Sequence, residues 1–137
     1  MQRLIRDVYE SNGVVAACCN GPSGLLNAKN HDGTSFIKGK RVTAYSDLEK
    51  DDWWRVSGMD GNGVERGQSG KIRKSGQTLV EMPFSCESEF RRVGAVFVGG
   101  TVGESNVVID GRLVTGQNPA SAIGVAREVL IQLVNEG

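Results

Sequence analysis

Residues 14–28 read VVAACCNGPSGLLNA, and this stretch decides the fold. It begins with a short apolar run, residues 14–18, of the kind that forms a strand buried on both faces of a parallel sheet. A sharp turn follows at residues 19–21. Pro22 suits the first turn of a helix, because the N–H that proline lacks is not needed there. The stretch therefore predicts a central strand, a tight turn and a helix.

The segments around this stretch continue the alternation of helices and strands. Apolar residues at helical spacing predict a first helix that ends at Asn12-Gly13. Asp110-Gly111 is a strong hairpin signal, and Asn118-Pro119 is a typical cap and first turn of a helix. Further strands are predicted at 41–45, 95–98, 106–109 and 113–115, and further helices from residue 46, at 84–93 and from residue 118. This alternation predicts a layered α/β sheet.

Composition and charge exclude several classes of function for this chain of 137 residues. Acidic and basic residues balance at 16 each, so nothing favours nucleic acid or an anionic membrane as a partner. No apolar run approaches the roughly 20 residues of a membrane span, and the first residues lack the apolar middle of a signal peptide. Three cysteines without a histidine at ligand spacing predict free thiols in a reducing cytoplasm, with no metal and no cofactor.

One segment interrupts the pattern. Residues 57–77 are rich in glycine and charge and have almost no apolar periodicity. Such a segment cannot bury enough apolar surface to offset its ordering entropy. We expect a single domain over residues 1–137 that carries a disordered insertion at 57–77.

The turn after the apolar run carries the candidate chemistry. A strand followed by a sharp turn and a helix projects the side chain of Cys19 above the edge of the sheet. The positive end of that helix would favour the reactive thiolate, and Gly21 would let backbone amides approach an oxyanion. Cys18 should point the other way and be inert. The alternative is that both cysteines are small buried residues without chemistry.

Three motifs resemble the DJ-1/PfpI superfamily, within the class I glutamine amidotransferase-like group. VAACCNGPSGLLNA at 15–28 is similar to the nucleophile segment of that superfamily, whose usual form is valine-alanine-x-x-cysteine-histidine-glycine-proline. IKGKRVTAYSDLE at 37–49 resembles the strand after the nucleophile helix. VVIDGRLVTGQNPASA at 107–122 resembles the C-terminal hairpin and helix entry. The most similar branch is that of the heat-shock chaperones and glyoxalase III enzymes.

This resemblance implies a flavodoxin-like three-layer αβα sandwich. It also implies a lyase that converts methylglyoxal to D-lactate without glutathione (a D-lactate dehydratase, acting in methylglyoxal detoxification), or a stress-response chaperone that holds misfolded client proteins. In that branch the cysteine attacks the aldehyde, a neighbouring histidine moves protons, an early glutamate holds the thiol proton, and another acid orients the histidine. A homodimer is possible in this family.

The chain departs from that pattern in three respects. Asn20 stands where the family has histidine, and asparagine does not titrate near neutral pH. Lys50 falls near the position of the orienting acid, and Glu49 precedes it. The resemblance begins at the helix before the nucleophile strand, so it predicts the C-terminal portion of the sandwich, incomplete at the N-terminus. Three possibilities stay open: an impaired enzyme, a non-catalytic chaperone-like or redox-sensing relative, and an incomplete fragment.

Three other features are expected to be structural. His31 is the sole histidine and lies in a polar turn, so we expect an exposed loop residue. Cys86 near a helix start is expected to be a partly buried structural thiol. The glycine-rich stretch 99–103 lacks a phosphate-loop lysine and is expected to be a simple loop.

Overall fold

The structure, a computed structural model, describes residues 1–50 and 84–135 and the backbone of three short strands between them. The helices are α1 (Gln2–Glu10), α2 (described over 47–50), α3 (Cys86–Arg92) and α4 (Ala122–Val134), with short 3₁₀ helices at Gly21–Leu25 and Pro119–Ser121. The strands are β1 (Val15–Cys18), β2 (Arg41–Val42), β3 (Glu65–Arg66), β4 (Ile72–Lys74), β5 (Gln77–Thr78), β6 (Val96–Phe97), β7 (Val107–Asp110) and β8 (Leu113–Gly116).

The strands pair in three groups. β8 lies between β1, to which it is parallel, and β7, to which it is antiparallel. β2 and β6 form a parallel pair. β3, β4 and β5 pair in antiparallel order. Strand β8 therefore supports the strand that leads to Cys19.

The predicted insertion at 57–77 falls mostly outside the described residues. Within it, only the backbone of strands β3 and β4 and the first residue of β5 is described. The prediction of disorder for this segment stays a prediction.

Helices cover both faces of the sheet at β8. Leu113 lies in the main hydrophobic core, which includes Leu25 of the first 3₁₀ helix and Phe90 of α3. Gly116, three residues further along the strand, faces the opposite side, where a Cβ atom would lie 2.6 Å from Cγ2 of Val125 in α4. The predicted three-layer α/β architecture is therefore confirmed.

Several helices and strands end where local sequence signals predict. α1 stops before Asn12, whose φ is +62°. The turn at Asp110-Gly111 joins β7 to β8 as a hairpin, and Gly111 has a φ of +58°. Asn118 caps the chain before α4 by accepting hydrogen bonds from the backbone and side chain of Ser121. These signals are reliable because turns and helix caps are determined by a few residues that are adjacent in sequence.

The prediction that residues 14–18 form a central strand buried on both faces is wrong for the described part of the chain. β1 pairs there with β8 alone, and Ala16 is exposed while Val15 and Cys18 are only half-buried. The strand is parallel to its neighbour, as expected, but its second edge has no described partner. An apolar run indicates that a strand is suited to burial, but it does not determine which strands pair with it.

Apolar residues recur along α4 at helical spacing, but only part of this apolar stripe packs against the rest of the protein. Val125 is buried and Val129 is half-buried, but Leu133 is 53% exposed. Because residue 124 is glycine, α4 can approach Val107 of β7 closely.

Among the helices that the structure describes, none has the length and apolarity needed to span a bilayer.

The close contact between β8 and α4 predicts a large effect of one added methyl group. Gly116→Ala should lower the free energy of unfolding by about 1–3 kcal/mol, because the new Cβ would overlap Val125 and lie 2.9 Å from the Cys18 sulfur. Urea denaturation followed by circular dichroism measures this. Gly24→Ala is the matched control, since no atom lies within 4 Å of its added Cβ. Equal stability of the two variants would contradict the packing described for Gly116.

Candidate active site

Cys19 has a left-handed backbone conformation at the end of β1. Its φ is +60°, a value that residues other than glycine, asparagine and aspartate rarely adopt. Such a residue costs on the order of 1–3 kcal/mol and persists only where its surroundings hold it. A strained turn between a strand and a helix is the geometry of a nucleophile elbow. The structure therefore confirms the sharp turn that was predicted at residues 19–21.

Two backbone hydrogen bonds hold this conformation. The N–H of Cys19 donates to the carbonyl of Gly116 at 2.9 Å, which continues the pairing of β1 with β8. The carbonyl of Cys19 accepts from the N–H of Tyr45 at 2.8 Å. The chain then enters the 3₁₀ helix Gly21–Leu25 through Asn20, which has ordinary right-handed angles.

The environment of Cys19 raises the pKa of its thiol. Burial is the largest cause, and the charges of Cys18 and Glu49 act in the same direction, while the N–H of Asn20 lowers the pKa. The expected helix-end stabilisation of the thiolate is not found. The helix after the turn is a single 3₁₀ segment of five residues, too short to build a large dipole.

A buried carboxylate lies beside the elbow. Glu49 in α2 is 4% exposed. Its Oε1 atom accepts hydrogen bonds from Nδ2 of Asn118 at 2.5 Å and from the N–H of Gly103 at 3.0 Å. Its Oε2 atom has no hydrogen-bond partner among the described residues. Of the two residues considered for the position of the orienting acid, Lys50 and Glu49, the acidic one therefore lies beside the elbow.

Ser46 and Glu49 have the spacing of a capping box, and the structure forms half of that motif. The hydroxyl of Ser46 accepts from the N–H of Glu49 at 3.2 Å, which caps α2. The Glu49 side chain does not return to Ser46 but reaches across to the loops before β7 and α4. The same spacing of serine and glutamate therefore serves both helix capping and the site.

Asn118 connects this carboxylate to the rest of the fold. Its Nδ2 donates to Glu49 and to the carbonyl of Glu104, and its Oδ1 accepts from Ser121. Its own carbonyl accepts from the sulfur of Cys18 at 3.1 Å. In the sequence, Asn118 is recognisable only as a helix cap. No local signal indicates its contact with Glu49, which lies 69 residues away.

The other sequence candidates have different surroundings. Asn20 is exposed and its side chain does not cap the 3₁₀ helix. A Cβ atom at Gly21 would meet only Cβ of Ala17, at an ordinary 3.6 Å, so the protein itself does not require glycine there. His31 lies at the surface, 2.9 Å from a carboxylate oxygen of Glu10. The expectation that His31 is an exposed loop residue is confirmed.

All three cysteines are free. The thiol of Cys18 donates a hydrogen bond to the carbonyl of Asn118, which lies before the 3₁₀ helix Pro119–Ser121, and burial raises the pKa of this thiol. Cys86 is 4% exposed at the start of α3, and burial followed by the charges of Asp47 and Cys19 raises the pKa of its thiol. Both observations agree with the structural roles expected for these two residues.

The loop 99–103 contributes a backbone hydrogen bond to the site, a role that no motif in this glycine-rich stretch predicts. It forms no regular element, as expected, but the N–H of Gly103 helps to fix Glu49. Across residues 1–50 and 84–135, no three histidine, cysteine, aspartate or glutamate side chains are grouped as metal ligands would be. The chemistry available at the elbow is thus that of one thiol beside one oriented carboxylate.

Comparison with known proteins gives a consistent set of relatives. The profile of the DJ-1/PfpI family matches residues 1–132. Over 134 residues the chain is 32% identical to the glutathione-independent glyoxalase hsp3101 of Schizosaccharomyces pombe, covering 95% of this chain and 47% of that protein. The chain spans about half the length of the curated relatives it matches.

Solved structures agree on the fold. The chain superposes on the 24 kDa rapid encystment protein of Francisella tularensis with a TM-score of 0.73 and 27% identity, covering 96% of this chain and 48% of that one. It superposes on glyoxalase III of Candida albicans with a TM-score of 0.69 and 28% identity, over the same shares of the two chains. The flavodoxin-like sandwich is therefore confirmed, and the chain belongs to the DJ-1/PfpI family.

Proposed function

We propose that this chain is a glyoxalase III-like protein whose Cys19 adds to small reactive aldehydes such as methylglyoxal. The observation that carries the proposal is the left-handed conformation of Cys19, which presents its thiol beside the buried carboxylate of Glu49. Two relatives at about 30% identity are named glutathione-independent glyoxalases, and another is named glyoxalase 3. Their printed names support a small aldehyde as the substrate class.

The first step forms a hemithioacetal. The sulfur of Cys19 bonds to the aldehyde carbon, the carbonyl π electrons move to oxygen, and that oxygen receives the proton that the thiol releases. The step needs a thiolate and a proton donor but no oxidant. Because burial raises the pKa of the Cys19 thiol, only a small fraction of molecules carry the thiolate at neutral pH.

Conversion of this adduct to D-lactate should be slow. The reaction requires proton transfers between adjacent carbon atoms, and Asn20 cannot supply them because an amide does not titrate near neutral pH. Loss of a positioned acid–base group lowers a rate by a factor on the order of 10²–10⁴. A catalytically impaired member of the glyoxalase branch fits these residues. Free thiols also suit the cytoplasm, which we propose as its location.

A second function, holding unfolded client proteins, is favoured by one surface of α4. Apolar side chains there are exposed at helical spacing: Ile123, Leu130, Leu133 and Val134, which we call the α4 stripe. Exposed apolar surface of this kind can bind unfolded chains in extended or helical form. The α4 stripe lies on a different part of the chain from Cys19, so the two functions are separable.

The raised pKa predicts how Cys19 reacts with a thiol reagent. Labelling by iodoacetamide should favour Cys19 over Cys18 and Cys86, because Cys18 is hydrogen-bonded and Cys86 is buried. The rate should rise about tenfold per pH unit between roughly pH 6.5 and 8.5, since the thiolate fraction grows until the pH reaches the pKa. Mass spectrometry of peptides after brief labelling measures both. A rate that is already constant below pH 7 would show a depressed pKa instead, and faster labelling of Cys86 would overturn the assignment of the nucleophile.

Methylglyoxal should protect Cys19 from the same reagent. We expect reversible protection in the full chain, together with D-lactate formation roughly 10²–10⁴ times slower than in relatives that have the histidine. Cys19→Ser is the control, which should form no D-lactate. Absence of protection at millimolar methylglyoxal would contradict the proposed function, and D-lactate formation as fast as that of the fission yeast relative would contradict the assigned role of Asn20.

The α4 stripe predicts a measurable holding activity. Light scattering by a heated client enzyme should be suppressed by the chain and much less by the double variant Leu130→Ser, Leu133→Ser, because both side chains are more than half exposed. Arg127→Ser, an exposed change on the same helix, is the matched control and should behave like the unchanged protein. Equal suppression by all three proteins would remove the stripe from consideration.

A further inference from the structure

The edge of β1 that faces away from β8 is open among the residues that the structure describes. The N–H groups of Val15 and Cys19 donate to carbonyls on the β8 side. In a parallel strand the N–H and carbonyl of one residue point to the same side, and successive residues alternate. The main-chain groups of Val14, Ala16 and Cys18 therefore point to the open edge, where another strand could bind them.

The sequence of β1 does not protect this edge. Proteins that stay monomeric blunt such edges with charged side chains, with proline or with a bulge. Residues 14–18 contain no charged residue and no proline, and Ala16 is exposed. The chain as a whole has a formal net charge of zero, so electrostatic repulsion does not keep two copies apart. The edge is therefore chemically suited to pairing with a further strand.

The helix on one face of the sheet exposes an apolar flank beside the same edge. α4 lies over β8 and β1, and it turns Gly124 toward Val107 of β7, on the other side of β8 from β1. The opposite flank of α4 carries Ala126 and Leu133, which are both exposed and lie two turns apart. This flank and the open edge of β1 form one continuous apolar surface.

The level at which α4 crosses β1 follows from a few contacts. A Cβ atom at Gly116 would meet both Val125 of α4 and the sulfur of Cys18. Ala16 faces the same side as Cys18 and lies about 7 Å before it along the strand. α4 runs back along the sheet, because its last turn contacts the turn before β8. With a rise of about 1.5 Å per residue, Val129 lies level with Ala16.

We propose that the open edge of β1 and the exposed flank of α4 bind a second copy of this chain. A two-fold axis perpendicular to the sheet at Ala16 places Ala16 opposite Ala16 and Val14 opposite Cys18. The two β1 strands are then antiparallel, and their free N–H and carbonyl groups bind one another. The inference goes beyond the proposed function, because the thiol of Cys19 has no part in it.

The same symmetry brings the two helices into contact. Since α4 lies between β8 and β1 on one face, the two copies of α4 are about two strand spacings apart, or roughly 9–10 Å. Helices that pack directly are separated by about 8–10 Å. Around the axis at Val129, the small Ala126 of each copy faces the large Leu133 of the other. A single strand from an unrelated chain would leave this flank uncovered, which favours a second copy.

Sedimentation equilibrium of the full chain tests this interface. At micromolar concentration we expect twice the mass of one chain. Ala126→Glu should raise the dissociation constant roughly tenfold or more, because it buries an unpaired carboxylate against Leu133 of the other copy. Ile123→Glu is the matched control, since residue 123 is 84% exposed and belongs to the α4 stripe but not to this flank. The control should keep the dimer, and circular dichroism should show that both variants fold.

Ala16→Pro tests the strand pairing separately. Proline removes an N–H that β8 does not use, so the variant should keep the pairing of β1 with β8 and lose the dimer. If this variant does not fold, the comparison of Ala126→Glu with Ile123→Glu decides. A chain that is monomeric at all concentrations would overturn the inference. A dimer that survives Ala126→Glu, or that Ile123→Glu weakens equally, would overturn it as well, because the interface would then lie elsewhere.

Discussion

The left-handed conformation of Cys19 is the constraint on which the rest of the site depends. A cysteine does not adopt a φ of +60° without support, and here the support comes from the carbonyl of Gly116 on one side and the N–H of Tyr45 on the other. Both contacts are between segments far apart in sequence. Cys19 can therefore hold its thiol in this position only when β1 is paired with β8 and Tyr45, which follows β2, contacts the turn.

Much of the local structure could be predicted from the sequence because it depends on neighbouring residues. The hairpin at Asp110-Gly111 and the cap at Asn118 follow from turn and capping preferences. The exposure of Ala16 could not be predicted, because burial depends on which strands pair with β1 and not on its composition. The exposure of Leu133 could not be predicted for the same reason, because the apolar stripe of a helix does not show how much of the helix the core covers.

The candidate site shows the same division. Cys19 was found from its place between an apolar run and Pro22, a signal that lies within four residues. Its raised pKa was not foreseen, because it results from burial and from the charge of Glu49, 30 residues further along. The pattern around Glu49 even favoured a different interpretation, since a glutamate three residues after a serine commonly folds back on the helix start. Only the three-dimensional structure shows that its carboxylate binds Asn118 instead.

Position 118 requires asparagine more strictly than its role as a helix cap would. Aspartate and serine cap helices as well as asparagine does, and either could accept the hydrogen bonds of Ser121. Neither could replace the carboxamide here, which accepts through its oxygen and at the same time donates through its nitrogen to Glu49 and Glu104. Aspartate would turn an attraction to Glu49 into a repulsion between two buried carboxylates. A substitution that preserves the helix cap would therefore still disrupt the contact with Glu49. The effect of mutations at position 118 depends more on this carboxylate than on the helix that Asn118 caps.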